Sequence, residues 1–259
     1  MKKNILLLIV LFFMNFIFGQ NADELNSQSK ELLNNRDYEK ALPILRKSAE
    51  LGNAEAQYNL GYFLQNGVGI TKNEKEAFGW YKKSSENGFN DGHYAMMMAY
   101  GKGTGTEINS EKAFKYALKC AENNDVTCMW NIVNCYKQGL GITKDLNKML
   151  EWATKLSLLE NPDNLNFSGN ITSTRLSLAY MYRDGDGLEI DFYKSYIWFL
   201  IYNEFKKDFS ITQQNQILEE IKVSESKISK KQLKSAKEDA EKIFGRKLNN
   251  FENLQKADF

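Results

Sequence analysis

The sequence predicts an all-α fold built from repeated helix pairs, and three observations support this prediction. A glycine pair recurs at a spacing of 36 residues, as Gly67 and Gly69, then Gly103 and Gly105, then Gly139 and Gly141. Before the first pair, Ala56, Leu60 and Leu64 follow the spacing of an amphipathic helix. After each pair an Asn or Asp stands where a helix N-cap belongs, at Asn73, Asn109 and Asp145. Because glycine tolerates the left-handed conformation that ends helices, each unit is expected to be two helices around a glycine turn.

Four copies of this unit are predicted in the middle of the chain. They cover 53–88, 89–124, 125–160 and 171–205. The fourth copy fits only when the spacing is lengthened, and the inserted segment 161–170 is rich in Asn, Asp, Pro and Gly, which is a loop composition. We therefore expect a loop between the helices on either side of it.

Residues 1–20 have the pattern of a signal peptide. Lys2 and Lys3 precede an apolar run over 5–18, and Gly19 is the small residue that a signal peptidase requires. The run is shorter than the roughly 20 residues of a transmembrane helix. We expect a mature chain that starts near Gln20 or Asn21, is periplasmic or secreted, and has no stable membrane span; an uncleaved anchor is the alternative.

Two flanking segments are predicted to close the array of repeats. Residues 21–52 are expected to form an atypical entry repeat of two helices. In the C-terminal part, 206–259, Ser210 with Gln213 and Ser229 with Gln232 have the spacing of capping boxes, which predicts helices at about 211–223 and 229–246. The last stretch, 248–259, is expected to be frayed or mobile.

The combined pattern resembles the Sel-one-like repeat (SLR) family, a relative of the tetratricopeptide repeats. The resemblance is carried by Ala56-x-x-x-Leu60-Gly61, the glycine pair, and Trp80-Tyr81. Several coincident positions in four copies make it specific, whereas one Gly-x-Gly would not be. The resemblance implies a right-handed α/α solenoid with a tetratricopeptide-like entry repeat and C-terminal capping helices. It also implies binding of a protein or peptide and no enzymatic activity.

In stacks of this kind the first helix of each pair lines a concave groove. The resemblance assigns a set of partner-binding residues to that groove: Glu55, Tyr58, Tyr62, Asp91, Tyr94, Met98, Trp130, Asn134, Lys137, Leu176, Tyr180 and Arg183. Tyr58, Tyr94 and Trp130 supply amphipathic rings of the kind that dominate interfaces. The alternative is that these rings only pack between repeats.

The chain has three cysteines, Cys120, Cys128 and Cys135. Cysteine-rich secreted members of the family have a bridge between adjacent helices at a similar placement, so the resemblance implies a disulfide between Cys120 and Cys128. Cys135 lies one heptad beyond Cys128, about 10 Å along a helix, which is out of disulfide reach. It is expected to be a buried free thiol. Three reduced cysteines are the alternative.

Catalytic and metal sites are not favoured by the sequence. The single histidine, His93, occupies the repeat position of Gln57, which suggests a helix-surface or packing role. No second histidine is present to complete a zinc site or to activate a nucleophile. Asp184 and Asp186 alternate as calcium ligands do, but they flank the interhelix glycine of the fourth repeat, so a calcium loop is the weaker interpretation. We expect no enzyme, cofactor or metal.

The charge balance narrows the choice of partner. The formal net charge is +1, which argues against nucleic acid or an anionic membrane as the main partner. The sequence favours an exported, non-enzymatic scaffold that binds a protein or peptide, with the partner's identity and the oligomeric state left open. A binder of cell-wall glycans or small molecules is the alternative, and a β-lactamase-like hydrolase is a weaker one.

Overall fold

The structure is a computed structural model that describes residues 21–254, and within that range every regular element is a helix. The predicted all-α class is therefore confirmed. The signal-peptide prediction for 1–20 and the tail prediction for 255–259 lie outside the described residues. Between 21 and 254, no helix combines the length and the apolar character that crossing a membrane requires.

The chain divides into two compact units, Met1–Asn123 and Asn124–Phe259. In the first unit, helix α1 covers 21–34 of the described residues. It is followed by α2 (Tyr38–Glu50), α3 (Ala54–Asn66), α4 (Glu74–Glu86), α5 (Asn90–Lys102) and α6 (Ser110–Glu122). Consecutive helices pack against each other from α2 to α6. Their buried faces form one apolar core that includes Leu45, Leu60, Trp80 and Met96.

Local capping explains where these helices begin and end. The side chains of Asn53, Asn73 and Asn109 each accept a hydrogen bond from the backbone N–H three residues later, as predicted for the last two. Gly67 and Gly103 end α3 and α5 in the left-handed conformation, with φ of 69° and 75°. The predicted glycine turns are therefore confirmed in this unit.

The second glycine of each turn serves a different purpose, which is close approach to the preceding repeat. A Cβ added at Gly69 would lie 2.6 Å from the Cβ of Tyr38 on α2. A Cβ added at Gly105 would overlap the backbone carbonyl of Glu74 at the start of α4. Each turn therefore docks on the second helix of the repeat before it, in a space that admits no side chain.

The second unit contains α7 (Val126–Gln138), α8 (Leu146–Ser157), α9 (Leu165–Asp184), α10 (Phe192–Asn203), α11 (Ile211–Ser226) and α12 (Lys230–Phe244). Helix α10 lies at its centre, since α9, α11 and α12 all pack on it and every residue over 195–203 is buried. Both predicted capping boxes are present, at Ser210 with Gln213 and at Ser229 with Gln232.

The inserted segment differs from the loop that its composition predicts. Helix α9 begins at Leu165, so only 161–164 precede it and the rest of the insertion extends the helix. Asn164 caps the new first turn by accepting hydrogen bonds from the N–H groups of Asn166 and Phe167. The extension is held from outside, because the carboxylate of Asp208 accepts hydrogen bonds from Asn161, Ser168 and Thr172.

The tail over 248–254 is bound to the fold, contrary to the expectation that it is frayed or mobile. The Glu204 carboxylate accepts the backbone N–H groups of Asn249 (2.8 Å) and Asn250 (2.7 Å). The buried Lys206 ammonium donates to the carbonyl oxygen of Asn253 at 2.6 Å. Leu254 is buried as well, so the segment has both polar and apolar anchors.

Candidate functional site

Four of the six predicted groove residues of the first unit line one cavity of about 240 Å³ between α3 and α5. Tyr58 and Tyr62 reach it from α3, and Tyr94 and Met98 reach it from α5. Each pair is spaced by four residues, which places both side chains on one face of their helix. The 36-residue repeat then brings the two faces together.

The floor of this cavity, which we call the α3–α5 cavity, is the ring of Tyr81 from α4. Tyr81 is 4% exposed, whereas Tyr62 at the rim is 48% exposed. The ring of Tyr58 lies 5.7 Å from that of Tyr81, measured between centroids. Gly61 makes room for the Tyr81 ring, since a Cβ at Gly61 would lie 2.7 Å from two of its ring carbons. The missing side chain in α3 therefore lets the Tyr81 ring pack directly against the α3 backbone.

Polarity changes from the floor to the rim. Ala95 and Ala99 are buried beside Tyr81, whereas Lys102 and Asn66 at the opening are exposed. Burial raises the pKa values of Tyr58 and Tyr81, and the carboxylate of Asp91 raises the pKa of Tyr58 further. Both phenols are therefore neutral hydrogen-bonding groups at physiological pH.

The two acidic residues assigned to the groove have different surroundings. The Glu55 carboxylate accepts hydrogen bonds from the Asn26 amide and the Lys30 ammonium of α1, both at 2.7 Å. Its evident role is to hold α1 against α3. Asp91 is exposed on α5, close enough to act on Tyr58, but it does not line the cavity.

The groove residues assigned to the second unit lie at two places within it. On α7, Trp130 is 40% exposed and Asn134 donates its amide to the Trp130 carbonyl at 2.9 Å. Lys137, at the end of α7, forms an ion pair of 3.3 Å with Asp186. The carboxylate of Asp186 therefore has a cationic partner within the fold.

The second place is the surface between α9 and α11. Leu176 and Tyr180 share a shallow cavity of about 410 Å³ with residues of α11, including Ile217. Arg183 forms ion pairs with Glu220 of α11 and with its neighbour Asp184. These contacts use Arg183 to join two helices, and they pair the carboxylate of Asp184, like that of Asp186, with a cationic side chain.

Sequence reasoning named four of the eleven residues that line the α3–α5 cavity, and Tyr81 and Lys102 are among those it missed. Tyr81 is buried on α4 and also lines the cavity. The sequence signal that could have identified Tyr81 is Gly61, because a glycine inside a helical pattern often has a packing reason, such as room for a neighbouring ring. Nothing distinguishes Lys102 from other surface lysines of the sequence.

One contact in the first unit resembles part of a catalytic arrangement. Ser85 Oγ and His93 Nδ1 lie 2.6 Å apart and share a hydrogen bond, a contact that the sequence did not predict. His93 is buried, not on the surface, and burial together with the charge of Lys119 lowers its pKa. A general base must become protonated in the reaction, and a nearby cation opposes that step.

The repeat register gives this contact a structural explanation. At the position equivalent to His93, Gln57 donates its amide to the Ala49 carbonyl at 3.0 Å and accepts a hydrogen bond from Asn87. Both side chains therefore bridge the end of one repeat and the start of the next. We assign the pair of Ser85 and His93 to packing.

The cysteines agree with the pairing that the family resemblance implies. Cys120 and Cys128 are disulfide-bonded, and Cys135 is a free cysteine. Cys135 is half-buried rather than fully buried, and its burial raises the pKa of the thiol. Its sulfur is therefore mostly protonated and poorly nucleophilic near neutral pH.

Comparison with known proteins identifies the repeats. A family model described as Sel1 repeat matches residues 35–53, 54–89, 92–125, 130–161 and 175–201, which together exceed half of the chain. The first match includes the second helix of the predicted entry repeat, so five repeats are found where the sequence predicted four.

Two solved structures are similar to the chain. One is a Sel1 repeat protein from Oxalobacter formigenes, with 22% sequence identity and a TM-score of 0.61 over 75% of this chain and 74% of that one. The other is a protective antigen of uropathogenic Escherichia coli strains that displays an SLR fold, with 23% identity and a TM-score of 0.39. The match covers 85% of this chain but only 51% of that antigen. The chain belongs to the Sel1 repeat family, whose repeats typically build scaffolds for protein interactions.

Proposed function

We propose that this chain is an exported, non-enzymatic scaffold that binds a protein or peptide partner through the α3–α5 cavity. The observation that carries the proposal is the convergence of Tyr58, Tyr62, Tyr94 and Met98 from two successive repeats on one open cavity. Aromatic and methionine side chains are enriched at the centres of protein interfaces. The interaction role typical of Sel1 repeats supports the same reading.

The export part of the proposal has separate support. Residues 1–20 have the charged, apolar and small-residue order of a signal peptide. The disulfide of Cys120 and Cys128 is compatible with an oxidising compartment. A direct check is the N-terminal residue of the protein recovered from the cell envelope, which we expect to be Gln20 or Asn21. A recovered chain that starts at Met1 would contradict cleavage.

The binding part is tested by affinity capture from a cell-envelope extract with the purified chain as bait. Tyr62→Ala and Tyr94→Ala remove rings from the rim and wall of the α3–α5 cavity. Phe167→Ala is the matched control, because Phe167 is also a half-exposed ring (42%) but lies on α9. Thermal unfolding confirms that all three variants are folded.

We expect one protein to be captured by the parent and by Phe167→Ala but lost with either tyrosine variant. A partner that all four baits retain would refute the cavity as the binding site. Trp130→Ala serves as a fifth bait for the exposed ring on α7, and a partner lost only with this variant would move the site there.

A further inference from the structure

Tyr81 combines deep burial with a hydroxyl group for which the described part of the chain provides no hydrogen-bond partner. Only 4% of Tyr81 is exposed, and the residue lines the floor of the cavity. Its ring is fixed by contact with Gly61 on one helix and with the ring of Tyr58. Among the residues that the structure describes, none is recorded as a hydrogen-bond partner of its hydroxyl. The hydroxyl is not one of the fully buried polar atoms that lack a partner, so it still meets open space and is available to a group that enters from outside.

The size of the cavity limits what can enter. Its volume of about 240 Å³ lies below the roughly 300–1,000 Å³ of sites that enclose drug-sized ligands. It suits a single large side chain. The walls of Tyr58, Tyr94 and Met98 favour an aromatic ring, since edge-to-face ring contacts and sulfur–aromatic contacts are both attractive.

The polarity of the floor then selects among rings. Ala95 and Ala99 offer no hydrogen-bonding side chain, and Tyr81 offers one. Each hydroxyl group of a saccharide ring that faced these two alanines would need a partner from elsewhere in the cavity, at a cost where none is within reach. An aromatic ring with one polar atom at its far end could form a hydrogen bond with the Tyr81 hydroxyl at the cavity floor.

We propose that the α3–α5 cavity takes the side chain of a tyrosine from an extended peptide, with its ring against Tyr58, Tyr94 and Met98 and its hydroxyl bonded to that of Tyr81. The proposal rests on the proposed function and names the anchor residue of the partner. The two phenols form one O–H···O hydrogen bond in which either can donate.

The test starts from peptides, because the partner is unidentified. A random seven-residue display library is selected on the purified full chain, and the same library is selected on Tyr94→Ala as background. Enriched sequences are then synthesised in pairs that differ only by tyrosine or phenylalanine at the most constant position. Affinities of each pair are measured for the parent and for Tyr81→Phe, which keeps the ring and its contact with Gly61.

We expect the enriched peptides to share one tyrosine, and the parent to bind the tyrosine peptide about fivefold more tightly than its phenylalanine partner, which corresponds to one net hydrogen bond. With Tyr81→Phe this preference should disappear, while the affinity for the phenylalanine peptide stays near its parent value. The double comparison separates the hydrogen bond from a general loss of structure.

Three results would overturn the proposal. These are enriched peptides without a constant tyrosine, a tyrosine preference that Tyr81→Phe leaves unchanged, and no enrichment over the Tyr94→Ala background. None of them decides the scaffold function, which depends on the envelope capture. Conversely, if the peptides show the tyrosine preference but the envelope capture recovers no partner, the tyrosine anchor is supported and the proposed scaffold role in that envelope is refuted.

Discussion

We expect replacement of the buried Arg175 to lower the free energy of unfolding of the second unit more than replacement of any other charged side chain in that unit. Arg175 is 0% exposed and lies in α9. Its guanidinium donates to the carbonyl oxygens of Ser157 and Leu159, both at 2.8 Å, and to Asn161 Oδ1 at 2.6 Å. Burial lowers its pKa to about 9, which still leaves the group charged at neutral pH.

The cost of Arg175→Met follows from these contacts. Each hydrogen bond to a charged group contributes about 1.5–3 kcal/mol, and the carbonyl groups of Ser157 and Leu159 would lose a buried donor. Methionine occupies much of the vacated space, so a large cavity is avoided. We expect a loss of about 3–5 kcal/mol, the range for removing one member of a buried charged network. This is a large part of a typical total of about 5–15 kcal/mol.

Urea unfolding followed by circular dichroism measures the change, with tryptophan fluorescence as a second probe, to which the buried Trp198 of the same unit contributes. Arg246→Met is the matched control. Arg246 also donates to a backbone carbonyl, that of Leu158 at 2.9 Å, but its side chain is 35% exposed. We expect the control to cost less than about 1 kcal/mol, as usual for accessible charged groups. Equal losses for the two variants would refute the argument from burial.

Three further predictions concern other parts of the chain. Lowering the pH from about 7.5 to about 5.5 should destabilise the fold in thermal melts, because burial holds the pKa of His93 below its usual 6.5 and protonation then favours the unfolded chain. His93→Gln, which copies Gln57, should remove that part of the loss, and an unchanged slope would contradict it. Gly105→Ala should cost about 3 kcal/mol or more in denaturant, since its Cβ would overlap Glu74 at a φ of 68°, whereas Gly88→Ala, with a φ of 79° and open space, should cost only about 1–2 kcal/mol. Alkylation of the denatured chain without reductant should add one label, at Cys135; three labels would contradict the disulfide.

The parts of the fold that the sequence predicts well are those decided by neighbouring residues. Asn73, Asn109 and the two serines of the capping boxes act within their own first helical turn. The turn glycines need a backbone conformation that glycine alone adopts easily. Because these causes lie within a few residues, composition and spacing are sufficient to find them.

The insertion and the tail were mispredicted because their partners are distant in sequence. The first turns of α9 look like a loop by composition, but Asp208 holds Ser168 and Thr172 from 40 and 36 residues away. The tail over 248–254 looks unconstrained until Glu204 is placed beside it. Neither contact leaves a periodic signal along the chain.

The candidate site shows the same division. The register of the repeats was enough to bring Tyr58, Tyr62, Tyr94 and Met98 together, because each position follows from helix geometry and the spacing of 36 residues. The unpartnered hydroxyl of Tyr81 could not be predicted, since it depends on what three helices leave empty. The roles of Glu55 and Arg183 were also hidden, because their ion-pair partners lie in α1 and α11.

The anchored tail restricts how a protein of this architecture can lengthen by gene duplication. A further 36-residue unit inserted between Lys206 and α11 would separate Asn203, Glu204 and Lys206 from the backbone groups of 249–253 that they now satisfy. Breaking these hydrogen bonds in a buried setting costs free energy. A unit duplicated among α3 to α6 meets the same kind of neighbour on both sides. We therefore expect new repeats to be accommodated early in the array and the C-terminal end to be inherited as one piece.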